Sequence, residues 1–306
     1  MRQIQHSSGD LAVDRRAACA ETIAVEKDFA AAAEVMAEAV GVAPHWAAGW
    51  LLLGDYRTEA GDVAGAMEAY RRVEALDVDG AFGAASKLAA HADRIVPNGT
   101  DRPYVEALFD EYAPRFEAEL VGALGYSVPR ALGRMIERAL AGRVERAVDL
   151  GCGTGLIGAE IRSLCERLEG VDLSARMLAE ARRKGCYDAL MQAELLEFVG
   201  RDAGGIGLAT AADVMIYCGP LPPVLAAVHR ALTPGGLFAF SLELHDRPGT
   251  LLQRRQLRYA HNAEEAVAEC RAAGFEIVAT EHAALRNERD VPVEGLLVLV
   301  RKPSRA

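Results

Sequence analysis

The sequence predicts an α/β protein in which a mostly parallel sheet is preceded by an all-helical segment. Two observations lead to this prediction. Helix formers, above all alanine, dominate residues 15–93, whereas short apolar runs typical of strands alternate with helical patterns after residue 104. Proline, asparagine and glycine cluster in a linker near residues 96–102. The sequence therefore predicts a helical domain over 1–98 and an α/β domain over 99–306.

Charge and composition exclude several classes of protein. With 306 residues, of which half are apolar and a quarter are charged, the chain is long enough for two soluble domains. The formal net charge is −10 at pH 7, and an acidic surface repels phosphate backbones, so nucleic acid is not an expected partner. No apolar signal segment and no unbroken run of ~18 apolar residues is found, so no membrane association is expected.

The cysteines argue against a metal centre and against a disulfide framework. They are scattered and contain no C-x-x-C pair: Cys19, Cys152, Cys165, Cys186, Cys218 and Cys270. Such usage fits a reducing compartment. We therefore expect a cytoplasmic protein without a bound metal.

The helical half contains a repeat pattern. In "AGWLLLGDYRTEAGDVAGAMEAYRRVEALDVD", Trp50, Leu53 and Gly54 match W-x2-L-G, and Ala66 and Tyr70 occupy the small and aromatic positions of the next helix. The segment resembles about two tetratricopeptide (TPR) repeats followed by a capping helix over 81–94. A generic alanine-rich helical bundle remains the alternative. Repeats of this kind offer a concave surface, so a protein partner or self-association is expected there.

The α/β half begins with a strand, a glycine-rich loop and a helix. "ERAVDL", ending at Leu150, is a buried-strand pattern, and Gly151, Gly153 and Gly155 follow it before the helical "LIGAEIRSLCERL". Glycines at these places allow sharp turns and close approach of a ligand to the backbone. The arrangement predicts a nucleotide-type binding site at the carboxyl end of the strand.

The loop is compatible with two kinds of ligand. "GTGLIG" matches the dinucleotide pattern G-x-G-x-x-G, which by itself is a weak signal. Asp149, however, lies inside the turn, and an acid is a poor neighbour for a pyrophosphate. It suits a ligand that carries positive charge and no phosphate, such as the ammonium group of an amino acid.

"VDLGCGTGLIG" resembles the first motif of class I S-adenosylmethionine-dependent methyltransferases, and four later stretches agree in order: "LEGVDLSARMLAEARRK", "YDALMQAELLEF", "GLATAADVMIYCG" and "LTPGGLFAFSLE". The resemblance covers residues 104–306 and implies a Rossmann-like sheet of seven strands, mostly parallel with the last antiparallel. It extends to bacterial predicted methyltransferases with N-terminal TPR repeats. The residues that it assigns to S-adenosylmethionine are Asp149, Gly151, Cys152, Gly153, Thr154, Gly155, Leu156, Asp172, Leu173, Met177, Glu194, Leu195, Asp213, Tyr112 and Tyr104.

Two acids have specific roles by this resemblance. Asp172, at the end of the second strand, accepts hydrogen bonds from both ribose hydroxyls, because a carboxylate has two oxygens for a vicinal diol. Glu194 contacts the exocyclic amine of adenine.

A helical lid over 99–140 is also expected. In "YVEALFDEYAPRFEAEL", Tyr104, Leu108 and Tyr112 recur at helical spacing. In the family this helix covers the cofactor, and an aromatic face attracts a sulfonium cation. The alternative is an amphipathic helix that only packs on the sheet.

The catalytic residues are less defined. A sulfonium is a good leaving group, so a general base is needed only if the acceptor must lose a proton. The candidates are His261, Glu243 and His245. Arg258 and Arg286 are candidates for binding an acceptor carboxylate, although the sequence alone favours solvation at the surface for both arginines. No N/D-P-P-Y/F tetrapeptide follows the fourth strand, which disfavours DNA or glutamine methylation. The expected acceptor is a small molecule or a protein.

Three functional hypotheses remain at this stage. The first is an active S-adenosylmethionine-dependent methyltransferase. The second is a catalytically silent adaptor that binds S-adenosylmethionine and recruits a partner through the TPR-like half, since a fold does not guarantee turnover. The third is an NAD-type oxidoreductase, which the placement of Asp149 disfavours.

Overall fold

A computed structural model describes residues 6–93, 99–201, 204–288 and 291–304, so residues 96–98 of the predicted linker lie outside the described residues. The chain divides into two compact units. One contains the described residues of 1–96 together with 100–107 and 252–257, and the other contains those of 97–99, 108–251 and 258–306. The sequence pattern did not predict the two short segments that belong with the helical unit.

The first unit contains consecutive helices that pack in pairs. They are α1 (Leu11–Val25), α2 (Phe29–Val42), α3 (Ala47–Glu59), α4 (Val63–Leu76) and α5 (Ala84–His91). Aspartate side chains cap the N-termini of α1, α2 and α4. A Cβ added at Gly54 would lie 2.4 Å from the ring of the fully buried Tyr70, so α3 and α4 approach closely only because position 54 is glycine. Of the helix predicted over 81–94, residues 84–91 are helical, and Arg94 lies outside the described residues.

The second unit is a sheet with helices on its two faces. Its strands are β1 (Val144–Leu150), β2 (Cys165–Asp172), β3 (Ala189–Gln192), β4 (Ile206–Ala211), β5 (Leu232–Leu244), β6 (Thr250–Leu252), β7 (Tyr259–His261), β8 (Glu276–Glu288) and β9 (Val291–Arg301). Its helices are α6 (Arg102–Tyr112), which begins in the first unit, α7 (Val128–Ala139), α8 (Leu156–Ile161), α9 (Ala175–Lys184), α10 (Leu195–Arg201), α11 (Met215–Cys218), α12 (Leu221–Ala231) and α13 (Ala263–Ala272).

The sheet is mostly parallel with an antiparallel end, as predicted. β3, β2, β1, β4 and β5 are neighbours in that order and run parallel, β9 is antiparallel to β5, and β8 is antiparallel to β9. The described residues contain nine strands rather than the predicted seven. The two additions, β6 and β7, have three residues each, which is too short to produce a periodic apolar pattern.

Two predicted helices are shorter than expected. The helix after the glycine loop ends at Ile161, and Cys165 and Leu168 belong to β2, where both are fully buried. The expected helix over 104–120 ends at Tyr112, because the residue before Pro114 is disfavoured in the helical conformation. A π-helical turn (Ala118–Ala123) and α7 complete the segment that was expected as a lid.

Within the described ranges, no helix is both long enough and apolar enough to cross a membrane.

Candidate active site

The glycine-rich loop joins β1 to α8 at the carboxyl edge of the sheet. Gly151, Gly153 and Gly155 have φ values of +67°, +52° and +89°, a region that side chains rarely adopt. The amide of Cys152 donates to the carbonyl of Val171 at 2.9 Å, which fixes the loop against β2. A Cβ at Gly153 would meet no atom within 4 Å, so the backbone is open to a ligand there.

Asp149 lies beneath this loop and is fully buried. Its Oδ2 accepts a hydrogen bond from Tyr187 Oη at 2.6 Å, and its Oδ1 accepts one from Thr210 Oγ1 at 2.8 Å. Burial raises the pKa of Asp149 to about 7, while the two hydroxyl donors act in the opposite direction. The sequence predicted an acid facing the ligand, and the structure adds that the protein holds both of its oxygens.

Tyr187 explains the glycine spacing further along the loop. A Cβ at Gly158 would lie 2.2 Å from Tyr187 Oη, and one at Gly155 would lie 2.9 Å from the same ring. The third glycine of the G-x-G-x-x-G pattern therefore makes room for the tyrosine that holds Asp149. Sequence reasoning missed both hydroxyl donors, although Thr210 was visible as a polar residue inside the apolar run of β4.

Asp172 ends β2 and is held by two backbone amides. Gly153 N donates to its Oδ2 and Ser174 N donates to its Oδ1, each at 2.8 Å. Burial raises the pKa of Asp172 to about 6, and these amides act in the opposite direction. Ser174 caps α9 by accepting from Met177 N, and its hydroxyl donates to Asp110 of α6 at 2.6 Å. The carboxylate is thus fixed directly beside the open position at Gly153.

The other predicted cofactor residues lie along the same edge. Thr154 is buried, and its hydroxyl has no hydrogen-bond partner within the part of the chain that the structure describes. Glu194 precedes α10 and accepts from Glu197 N at 2.8 Å. The remaining members, at the ends of β1 to β4 or on the helices that follow them, are Cys152, Leu156, Leu173, Met177, Leu195 and Asp213. The strand order β3-β2-β1-β4 makes these ends neighbours.

Aromatic side chains from the predicted lid form a cluster in the second unit. Phe116 makes edge contacts with Phe109 and Tyr112, and Phe109 makes one with Tyr217. Burial, followed by a hydrogen bond with Glu119, raises the pKa of Tyr112 to about 12. Tyr104 belongs to the first unit, where a Cβ at Gly83 would lie 2.9 Å from its ring.

A network of ion pairs lies where β4, β5 and β8 end. Arg286, which is 4% exposed, donates to Asp213 at 2.8 Å, to Glu288 at 2.9 Å and to Glu243. Arg258 lies 2.9 Å from Glu243 and donates to Glu288 at 2.6 Å. Two guanidiniums thus face three carboxylates, so these arginines are paired inside the protein.

Burial and the charges of the network shift the pKa values of its members. Burial acts to lower the pKa of Arg286, but the surrounding carboxylates outweigh it and raise that pKa. Burial raises the pKa of Asp213, which Arg286 partly opposes. Asp213 also adopts φ +55°, and its backbone amide donates to Ser241 Oγ. Such backbone strain in a residue other than glycine is often found at functional sites.

The two histidine candidates differ in their environments. His261 is buried, its Nε2 donates to the carbonyl of Gly219 at 3.0 Å, and burial lowers its pKa to about 4. Its Nδ1 has no hydrogen-bond partner within the described ranges, so this histidine is neutral and retains an acceptor lone pair. Both ring nitrogens of His245 bond to its own loop, at Gly249 and Arg247.

No group of three or more His, Cys, Asp or Glu side chains that could hold a metal ion occurs among the described residues.

Comparison with known proteins identifies the region that carries the loop. Residues 148–238 match the family described as a methyltransferase domain. A malonyl-[acyl-carrier protein] O-methyltransferase of Enterobacter lignolyticus (strain SCF1) is 34% identical over 94 residues, which is 31% of this chain and 37% of that protein. The chain therefore matches little more than a third of that relative's length.

Solved structures show the same fold. The [4+2]-cyclase SpnF aligns with a TM-score of 0.57 at 17% identity, over 69% of this chain and 99% of that one. The 1,6-didemethyltoxoflavin-N1-methyltransferase of Burkholderia thailandensis, solved with 1,6-didemethyltoxoflavin and S-adenosylhomocysteine bound, aligns with a TM-score of 0.51 at 20% identity, over 68% of this chain and 93% of that one. At these identities the likeness concerns the fold alone.

Proposed function

Because residues 148–238 match the family described as a methyltransferase domain, we propose that the protein transfers the methyl group of S-adenosylmethionine to a small molecule or a protein. The observation that carries this proposal is the fixed carboxylate of Asp172. Amides of Gly153 and Ser174 orient its two oxygens beside the open backbone of the loop. Such pre-orientation suits a vicinal diol, which offers two hydroxyl donors to one carboxylate.

The residues present fit S-adenosylmethionine. Asp172 would hold the ribose hydroxyls, Glu194 would accept from the adenine amine, and the orphaned hydroxyl of Thr154 offers a further polar contact in the loop. Asp149, buried beneath the loop, places negative charge near the amino-acid end of the cofactor. When bound, S-adenosylmethionine supplies a methyl group on a positively charged sulfur.

The chain's own contribution is mainly alignment and exclusion of water. We propose that the aromatic cluster of Phe109, Tyr112 and Phe116 closes over the site, with Tyr112 lining the cofactor pocket. The hydrogen bond from Ser174 to Asp110 ties α6 to the start of α9, so the lid and the ribose-binding carboxylate are linked through one serine. Tyr104 remains a proposed cofactor-binding residue.

A general base is required only for acceptors that must lose a proton. Of the three candidates, His261 is neutral with a lone pair on Nδ1, whereas Glu243 is paired with two arginines and His245 stabilises its own loop. We therefore propose His261 as the base for an acceptor that needs one. The curated relative is named for O-methylation of a carrier-bound malonyl group, which falls within the proposed small-molecule or protein class.

We propose that the helical unit is TPR-like and binds a protein partner or a second copy of the chain. The spacing of α1 to α4 and the fit of Gly54 against Tyr70 support this interpretation. We also propose a cytoplasmic location, from the free cysteines, and a family core of seven strands to which β6 and β7 are additions. A silent adaptor remains the second hypothesis, because a [4+2]-cyclase shares the fold.

Calorimetry and thermal melting with defined ligands test this proposal. S-adenosylhomocysteine at ~100 times its Kd is expected to stabilise the protein by ~2.7 kcal/mol, while NAD is expected to have no effect. Formation of S-adenosylhomocysteine from S-adenosylmethionine with a metabolite pool separates an enzyme from an adaptor. Absence of both heat and melting shift at millimolar S-adenosylhomocysteine would refute the proposal.

A further inference from the structure

Among the described residues, the ion-pair network at the ends of β4, β5 and β8 has one more carboxylate than guanidiniums. Asp213 and Glu243 balance Arg258 and Arg286, so Glu288 is the surplus charge. Its side chain is 26% exposed, against 14% for Asp213 and 2% for Glu243. Among the three acids, Glu288 is therefore the one that can leave for solvent at the lowest desolvation cost.

The remaining acids are fixed more firmly. Asp213 is held by Ser241 Oγ in addition to Arg286, and Glu243 lies in the buried part of β5 against both arginines. Glu288 ends β8 and is held through one oxygen, since Arg258 Nη2 and Arg286 Nε both donate to its Oε1. Within the described residues, its Oε2 receives no hydrogen bond. The two guanidiniums thus form a binding place for a single carboxylate oxygen.

We propose that Arg258 and Arg286 form an acceptor subsite for a carboxylate, which Glu288 occupies in the absence of acceptor and vacates when the acceptor binds. This inference rests on the proposed function. An acceptor carboxylate would replace Glu288 at equal charge, so the exchange selects for carboxylates rather than adding large affinity. A cationic group could not replace Glu288 there, because it would lie directly against two guanidiniums.

The position of the subsite agrees with a role in methyl transfer. The backbone amide of Asn287, which precedes Glu288 in β8, donates to the carbonyl of Leu124 in the segment expected as a lid, at 2.8 Å. Because Asp213 and Glu243 lie at the carboxyl ends of the neighbouring strands β4 and β5, the network lies at the carboxyl edge of the sheet, next to that segment. Acceptors in open α/β sheets dock along this edge.

The chemistry of such an acceptor is balanced without a base. A carboxylate is ionised at neutral pH, so a lone pair of its free oxygen forms the new O–CH3 bond. The S–CH3 bond breaks, and its electron pair remains on sulfur. The products are a methyl ester and S-adenosylhomocysteine, and no proton moves. Holding one carboxylate oxygen by the arginines leaves the second as the nucleophile.

Chemical rescue of a vacated subsite tests the proposal. Three forms of the full-length protein, each saturated with S-adenosylhomocysteine, are compared: the parent, Glu288→Gly and Glu294→Gly. Glu294 is an exposed glutamate of β9, so the last variant is the control. Thermal melting is followed against sodium acetate, with sodium chloride at equal ionic strength as the reference. We expect saturable stabilisation of E288G by acetate, with a midpoint at least tenfold lower than in the parent or E294G.

Three further measurements make the result decisive: a Glu288→Gln variant, double variants that include Arg258→Gln, and methylammonium in place of acetate. Glu288→Gln keeps an acceptor oxygen and is expected to bind acetate more tightly than the parent even if E288G folds poorly. Adding Arg258→Gln to either variant is expected to abolish the acetate response. Equal acetate midpoints in all proteins, or saturable stabilisation by methylammonium instead of acetate, would overturn the carboxylate subsite. Binding of S-adenosylhomocysteine in the same samples reports separately on the proposed function.

Discussion

The buried aspartate beneath the glycine loop provides the sharpest prediction, because the same charge that is proposed to serve the cofactor destabilises the folded protein. Asp149 has a pKa of about 7 in the folded protein, compared with an ordinary value of 3.8. Between these two values the unfolded chain has lost the proton that the folded chain keeps. The contribution of Asp149 to the free energy of unfolding therefore falls as the pH rises from about 4 to about 7, and it is constant above that range.

The substitution Asp149→Asn removes this titration with little change in shape. The hydroxyls of Tyr187 and Thr210 can rotate, so that one donates to the amide oxygen and the other accepts from the amide nitrogen. The pKa difference of about three pH units corresponds to ~4 kcal/mol over the full range. About two of those units lie above pH 5, so D149N should gain ~2–3 kcal/mol over the parent between pH 5 and pH 8.

Urea unfolding of the ligand-free proteins at pH 5, 6, 7 and 8 measures the effect. The quantity of interest is the difference in unfolding free energy between D149N and the parent at each pH, since the titrating groups that do not interact with Asp149 cancel. The exposed Asp246→Asn is the control and should show no pH-dependent difference. A D149N difference that stays flat from pH 5 to pH 8 would refute the assignment of a raised pKa. Cofactor affinity, in contrast, should fall in D149N, and unchanged affinity would disprove the proposed contact.

The remaining predictions concern the carboxylate proposed to bind ribose, the glycine spacing and the domain boundary. Asp172→Ala should lose at least tenfold in S-adenosylhomocysteine affinity by calorimetry while the circular dichroism spectrum persists, because each hydrogen bond to a charged group is worth ~1.5–3 kcal/mol. Gly158→Ala should lower stability by ~1–3 kcal/mol, since its Cβ would overlap Tyr187, whereas Gly200→Ala in the exposed part of α10 should be neutral or stabilising. A fragment of residues 99–306 should fold and bind S-adenosylmethionine within severalfold of the full chain; a folded fragment without binding would contradict this.

Local patterns in the sequence were sufficient to predict the longer strands of the sheet and the edge that we propose for the cofactor. Buried strands such as β1 and β4 are continuous apolar runs, and the turn residues that follow them mark the carboxyl ends. Asp172 could be placed because it stands between such a run and a capped helix. These signals are all contained within ten or so residues of chain, which is the range over which periodicity and capping operate.

Pairings between distant residues could not be predicted in the same way. Tyr187 reaches Asp149 from 38 positions away, and Arg286 reaches Asp213 from 73. The residues around Tyr187 and Arg286 in the sequence contain no pattern that identifies the partner of either side chain. The sequence favoured solvation at the surface for Arg258 and Arg286, yet the closing strand β8 and the segment before β7 bring both into an ion-pair network. Only the sheet topology supplies this information.

The division between local and distant signals coincides with a division of the site itself. The matched methyltransferase segment, 148–238, contains the loop, Asp172 and Glu194, and thus the half of the site that would hold the cofactor. Glu243, Arg258, Arg286 and Glu288 all lie after residue 238 and are brought to the edge by the ends of β5 and β8. Because a [4+2]-cyclase shares the fold over most of its length, the fold alone cannot decide which molecule reaches the cofactor. In this chain that choice rests with side chains beyond the family match, and their charge and geometry favour a carboxylate.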